Sequence, residues 1–247
     1  MRRDEHLALL RARLAEVGGG AAAHGPSAAL LHGLELAEVP VEPFIAVPVG
    51  RSRPAPGLRR TPLADSVVVA GIRCTPLLRT VADIARTHPL PAALVALDSS
   101  LRQRRLLPSQ LRQAADAAQG NGRAQLRRAV RLADARAGSP IESLCRGHLL
   151  EASIGPVHTQ SCLRPDGHAY DMRVRGSRLL IEADGRAFHD EPGRWQRDLD
   201  DGALALVDGY LVLRFSGATI SRRSESMVRT TAAVLHRYGW RAPRHRL

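Results

Sequence analysis

Six consecutive residues, Leu179-Leu180-Ile181-Glu182-Ala183-Asp184, restrict the fold more than any other segment of this chain. The run is nearly apolar on both alternating faces, and a strand of that kind is stable only where other elements cover it on either side. A one-sided sheet is therefore excluded, and a layered α/β arrangement with helices packed on a mixed sheet is expected. Two carboxylates interrupt the run. Alternation puts Glu182 and Asp184 on one face, about 7 Å apart at ~3.3 Å per residue. Burying ionised carboxylates is strongly unfavourable unless they are paired or bind a metal.

The flanking segments supply the rest of such a layer. Ser139-Pro140-Ile141-Glu142 combines a good N-cap with proline at the first helical position, so a helix is predicted to about Ala152. Strands are predicted around Val157 to Leu163, Ala169 to Val174 and Arg178 to Asp184. A helix over Gly193 to Val207, a strand over Tyr210 to Phe215 and a helix over Ser224 to Tyr238 complete an α-β-β-β-α-β-α order. The segment from Ala135 to Pro140 reads as a boundary, which divides the chain into residues 1–138 and 139–247.

The first part is mostly helical, of α+β type. Leucines 7, 10 and 14 predict a helix from Met1 to Val17, stopped by Gly18-Gly19-Gly20. A second helix runs from Pro26 to Leu34. Strands are predicted over Val39 to Val49 and Ser66 to Ile72, on either side of the Arg/Pro-rich stretch from Arg51 to Pro62. Helical spacing returns at Leu77 to Ala85, Leu94 to Leu101 and Leu106 to Ala117. Arg123, Arg127, Arg128 and Arg131 then mark one further helix, either as a nucleic-acid-binding stripe or as a solvated face.

All 36 basic residues are arginine, and the formal net charge is +12. Residues 1–138 hold 20 arginines against 11 acids, and residues 139–247 hold 16 against 13. Such a balance favours polyanions, for which the guanidinium fork is well suited, although the Ala, Arg and Gly richness also fits GC-rich codon usage. Aromatics are only 3% of the chain, which argues against base-stacking platforms. Cys74, Cys145 and Cys162 lack C-x-x-C spacing and read as buried or incidental thiols of a reducing compartment. Charges interrupt the first residues, and no long uncharged apolar run follows, so a cytoplasmic protein without a membrane span is expected.

Asp171, in the strand before the central one, brings a third carboxylate towards Glu182 and Asp184 if the two strands are antiparallel neighbours. Hard oxygen ligands in such a group suit Mg²⁺ or Mn²⁺. A metal held there would polarise a phosphodiester and activate an attacking water. The competing reading pairs Glu182 and Asp184 with Arg173, Arg178 or Arg214 in a structural network.

Asp171, Glu182-Ala183-Asp184-Gly185, Phe188-His189, Asp198 and Val212-Leu213-Arg214-Phe215 together resemble the Vsr-like (very-short-patch-repair-endonuclease-like) domain family of the PD-(D/E)XK superfamily, over about residues 139–240. The resemblance implies a restriction-endonuclease-like fold, a Mg²⁺ (or Mn²⁺) cofactor held by Asp171, Glu182 and Asp184, and DNA as partner. Asp184 stands where many members of the superfamily carry lysine. The resemblance also makes His189 the candidate proton carrier and Glu142 the acid of the opening helix. Glu142 is equally an acid favoured in a first helical turn, and His189 equally a surface residue. Asp198 matches an acid on the following helix, and Asp201 stands where the family often has arginine.

In the first part, His24-Gly25-Pro26-Ser27-Ala28-Ala29-Leu30-Leu31-His32-Gly33-Leu34 and Thr75-Pro76-Leu77-Leu78-Arg79-Thr80-Val81-Ala82-Asp83-Ile84-Ala85 are similar to the module that follows the winged helix in AbiEi-type antitoxin-related proteins. Two functional readings follow. One is a metal-dependent DNA endonuclease. The other is a nuclease-fold protein of weak or no activity that binds DNA or regulates as antitoxin-like proteins do. A third, an interaction protein whose charge reflects codon usage alone, involves no nucleic acid.

Overall fold

A strand buried on both faces needs partners in its own plane and cover above and below, and the second half of the chain supplies both. The computed structural model describes residues 1–50, 58–164, 167–184 and 194–240, with only the backbone of 194–198. The chain divides into two compact units, Met1–Ala133 and Asp134–Leu247. Both are mixed α/β, and the described residues hold ten helices and two mixed sheets.

The first unit runs α1 (Arg3–Val17), β1 (Ala22–Ala23), α2 (Gly25–Leu31), β2 (Ile45–Val47), β3 (Leu58–Arg60), β4 (Val67–Val69), β5 (Ile72–Cys74), α3 (Leu77–Thr87), α4 (Leu90–Arg102), α5 (Pro108–Asp116) and α6 (Arg123–Leu132). Its sheet order is β3-β2-β1-β5-β4. Where one strand was expected over Ser66 to Ile72, a hairpin turns through Ala70 and Gly71, both with positive φ as a tight two-residue turn requires. The two-residue β1 sits at the middle of the sheet, antiparallel to β2 and parallel to β5. Leu10, Ala23, Ala28, Leu31, Ile45 and Ile72 form the core against it.

The second unit runs α7 (Pro140–Glu151), β6 (Val157–Cys162), β7 (Ala169–Val174), β8 (Leu179–Asp184), α8 (Arg194–Val207), β9 (Leu211–Ser216), α9 (Gly217–Arg222) and α10 (Ser224–Arg237). This is the expected order with α9 added. The unit starts at Asp134 rather than at residue 139, because Asp134 accepts a hydrogen bond from the Thr159 hydroxyl of β6, 2.7 Å away.

The sheet order is β6-β7-β8-β9, with β6–β7 and β7–β8 antiparallel and β8–β9 parallel. A parallel pair needs a crossover, which α8 makes. Leu179, Leu180 and Ile181 are completely buried. At about 1.5–3 kcal/mol for each large aliphatic side chain, this segment is a principal source of the unit's stability. Leu180 packs with Tyr170 and with Ala205 of α8, while α7 lies against β8 and against α9 and α10. Ser139 caps α7 by accepting from the Glu142 N–H at 3.2 Å.

No helix among the described residues is long and apolar enough to cross a membrane.

Candidate active site

The β7–β8 ladder has rungs at Arg173↔Leu180 and Met172↔Ile181. One residue further on, the Oδ2 atom of Asp171 accepts the backbone N–H of Ala183 at 2.8 Å. A carboxylate thus satisfies a buried strand N–H and is held at the sheet centre. Its carboxyl is pushed up from 3.8 to about 7, first by burial and further by the charges of Glu142 and Glu182, against the pull of the Ala183 N–H and of His168. Proximity of like charges and loss of water act in the same direction here.

Glu142 reaches this point from the first turn of α7. It is 9% exposed, and its Oε2 accepts from the Gly138 N–H at 2.7 Å and from the Gln160 amide at 3.1 Å. A Cβ at Gly138 would lie 3.1 and 3.2 Å from the two carboxylate oxygens, so glycine is what lets Glu142 seat there. The first-turn reading of Glu142 is correct as far as it goes, since the side chain turns back onto the helix entry as a capping residue does. It also acts electrostatically on Asp171. Gln160 occupies the left-handed region at φ 49 inside an extended strand, a strained backbone for a residue with a Cβ.

Glu182 is tied to a residue the sequence did not single out. Its Oε1 lies 3.0 Å from Nε2 of His168, whose Nδ1 lies 3.5 Å from Oδ2 of Asp201 on α8. The His168 ring stands edge-on to Tyr170 with centroids 4.7 Å apart, and the Tyr170 hydroxyl donates to the Asp201 carbonyl at 2.8 Å. His168 therefore links the central strand to the crossover helix. In the parallel register Glu182 stands beside Arg214.

Asp184 is the last residue of β8, two positions on from Glu182 in an unbroken ladder with β9. It closes β8 exposed to solvent, level with Ser216 of β9. The acids drawn towards one another are Asp171, Glu182 and Glu142. Among the described residues, no three His, Cys, Asp or Glu side chains are gathered closely enough to hold one metal ion. Mg²⁺, however, is usually held by one or two carboxylates and several waters. The pair Asp171 and Glu182 fits that donor chemistry, because both offer hard oxygens and a cation would offset the burial and the like charges that raise Asp171 to about 7. Gly185, Phe188 and His189 lie outside the described residues, as does the side chain of Asp198.

Two of the arginines weighed as partners for Glu182 and Asp184 are engaged elsewhere. Arg173 and Arg178 lie over the Tyr210 ring at 5.0 and 6.0 Å. In the first unit, the arginine stripe on α6 is in part structural. Arg127 donates to the carbonyls of Ala115, Asp116 and Ala118 at 3.0 to 3.3 Å, closing the C-terminal end of α5. The two first-unit motifs also serve each other, since His32 Nε2 bonds the Thr75 carbonyl at 2.8 Å and Thr75 shares a hydroxyl bond with Thr80 at 2.7 Å.

Compared with protein-family models, with curated proteins and with solved structures, the chain has no significant match.

Proposed function

We propose that the second unit is a restriction-endonuclease-like domain of Vsr-like type that hydrolyses DNA phosphodiester bonds with a divalent metal. The observation that carries this reading is the half-buried Asp171 carboxyl, raised to about 7 at the centre of the sheet with Glu142 and Glu182 acting on it from α7 and β8. Carboxyls shifted by burial together with nearby like charge cluster at functional sites.

Asp171 and Glu182 would hold the ion, with Glu142 behind them. When bound, Mg²⁺ or Mn²⁺ supplies Lewis-acid activation of the phosphate and a lowered pKa for the attacking water. Asp171 is fixed for this task by the Ala183 N–H. Glu182 is fixed by His168. The covered sheet limits water around both, which strengthens their electrostatic action. With no lysine in the chain, a histidine is one candidate for moving the proton. His189 is the residue that the family resemblance nominates, and His168 is the histidine in hydrogen-bond reach of Glu182.

One observation favours a second reading, in which the fold binds DNA without cutting it or regulates as an antitoxin-like protein. Glu142 and Glu182 already have protein donors, and the described residues gather no three-ligand metal group. Incubating the purified protein with supercoiled DNA and Mg²⁺ or Mn²⁺ separates the two. Nicking that disappears in Asp171→Asn and Glu182→Gln supports the nuclease. DNA binding with no nicking under either metal leaves the second reading.

A further inference from the structure

β6 is an edge strand, and a groove of about 440 Å³ runs along it within the second unit. Arg136, Arg173 and Arg175 line it together with His158 and Gln160. Among the described residues that line it there is no Phe, Tyr or Trp ring, and the neighbouring carboxylate of Asp134 is taken up by Arg136 and Thr159. We infer that this groove takes the sugar-phosphate backbone of a DNA duplex and guides it past the carboxylates, without reading base sequence.

The cations are set in place by the protein's own contacts. Arg136 forms a two-pronged contact with Asp134, Nε to Oδ1 at 3.0 Å and Nη2 to Oδ2 at 2.9 Å. Asp134 is itself anchored by Thr159. A guanidinium carries about five N–H donors, so Arg136 keeps donors for a second acceptor. Arg173 is steadied by stacking on Tyr210 at 5.0 Å. Arg175 is exposed on the turn that follows β7. Fixed guanidinium forks lose little freedom on meeting a phosphate.

The groove also lacks stacking surfaces among the described residues. Single-strand binders stack bases on aromatic rings, and none lines this surface. Guanidinium, imidazole, amide and hydroxyl groups instead match phosphate and sugar oxygens, contacts that orient a duplex without specifying sequence.

The groove lies next to the acids. Gln160 lines the groove and donates to Glu142, 3.1 Å away. A strand lying in the groove thus passes beside the residue that acts on Asp171. The choice of DNA as the polyanion rests on the nuclease reading; the anion-binding character of the groove does not.

The full-length protein is titrated in EDTA with a fluorescein-labelled random-sequence duplex, from about 0.05 to 0.3 M salt, beside Arg173→Gln/Arg175→Gln and the charge-retaining Arg173→Lys/Arg175→Lys. Loss of two phosphate contacts lowers the log-log salt slope by about 1.8 and weakens binding about 60-fold at ~0.1 M salt. The lysine pair retains most of the slope. A second duplex of different sequence binds equally well, and a single strand of equal length binds more weakly. An unchanged slope in the glutamine pair, preference for single strands or for one sequence, or tighter binding of polyglutamate overturns the inference. Slope loss in a protein that never nicks DNA upholds the groove and removes the nuclease reading. Nicking with an unchanged slope does the reverse.

Discussion

Asp171→Asn should make the protein more stable while removing its activity. The amide keeps an oxygen for the Ala183 N–H and discards a charge that the fold disfavours. A carboxyl raised from 3.8 to about 7 destabilises the folded state by up to about 4 kcal/mol once fully ionised. Remaining solvent contact of this half-buried side chain reduces the figure to about 2 kcal/mol. The sign follows from proton binding. Between the two values the folded chain holds the proton more tightly than the unfolded chain, so stability falls as pH rises through that window and is lowest above 7. The gain of the variant is therefore small near pH 4 and complete near pH 8, where it corresponds to a rise in Tm of about 4–8 °C. Thermal melts of both proteins at the two pH values, with and without Mn²⁺, measure it. Mn²⁺ raises the Tm of the unmodified protein and leaves that of the variant unchanged. A gain equal at both pH values, or a loss at pH 8, refutes the argument that ionised Asp171 is held against its neighbours' charge.

Two further perturbations address the supports of the site. His168→Ala should weaken Mn²⁺ binding by about 10–100-fold, the usual effect of losing a group that orients a ligand, while His168→Gln restores part of it through an amide N–H to Glu182; free-Mn²⁺ electron paramagnetic resonance reads both, and equal affinities in all three proteins would exclude the role. Gly138→Ala should cost about 1–3 kcal/mol through forced displacement of the Glu142 carboxylate, read as a lower urea midpoint, and an unchanged midpoint would mean that Glu142 can move freely.

Parts of this molecule are legible in its sequence because their physics is local. The run from Leu179 to Ile181 could only be a covered strand, and it is completely buried. Ser139 and Pro140 announced α7, and its cap is formed as expected. Asp171 and Glu182 stood out as charges in apolar surroundings, and the structure brings them into electrostatic contact. Other parts depend on what folding brings together. Two alanines carry no periodic signal, so β1 was invisible although it is central to its sheet. The Val-rich stretch from Ser66 to Ile72 concealed a turn because alanine, rather than asparagine or aspartate, precedes Gly71. α9 begins on a glycine directly after β9 and is only six residues long, so its serine cap at Ser216 had too short a periodic run behind it to stand out. His168 and Gln160 gain their roles only through partners 14 and 18 residues distant. Alternation grouped Asp184 with Glu182 without registering that the strand ends there, leaving that side chain to solvent.

An imidazole that meets the central strand through one ring nitrogen and approaches the crossover helix with the other places a single ring between those two bodies. Moving that ring disturbs its contacts with both at once.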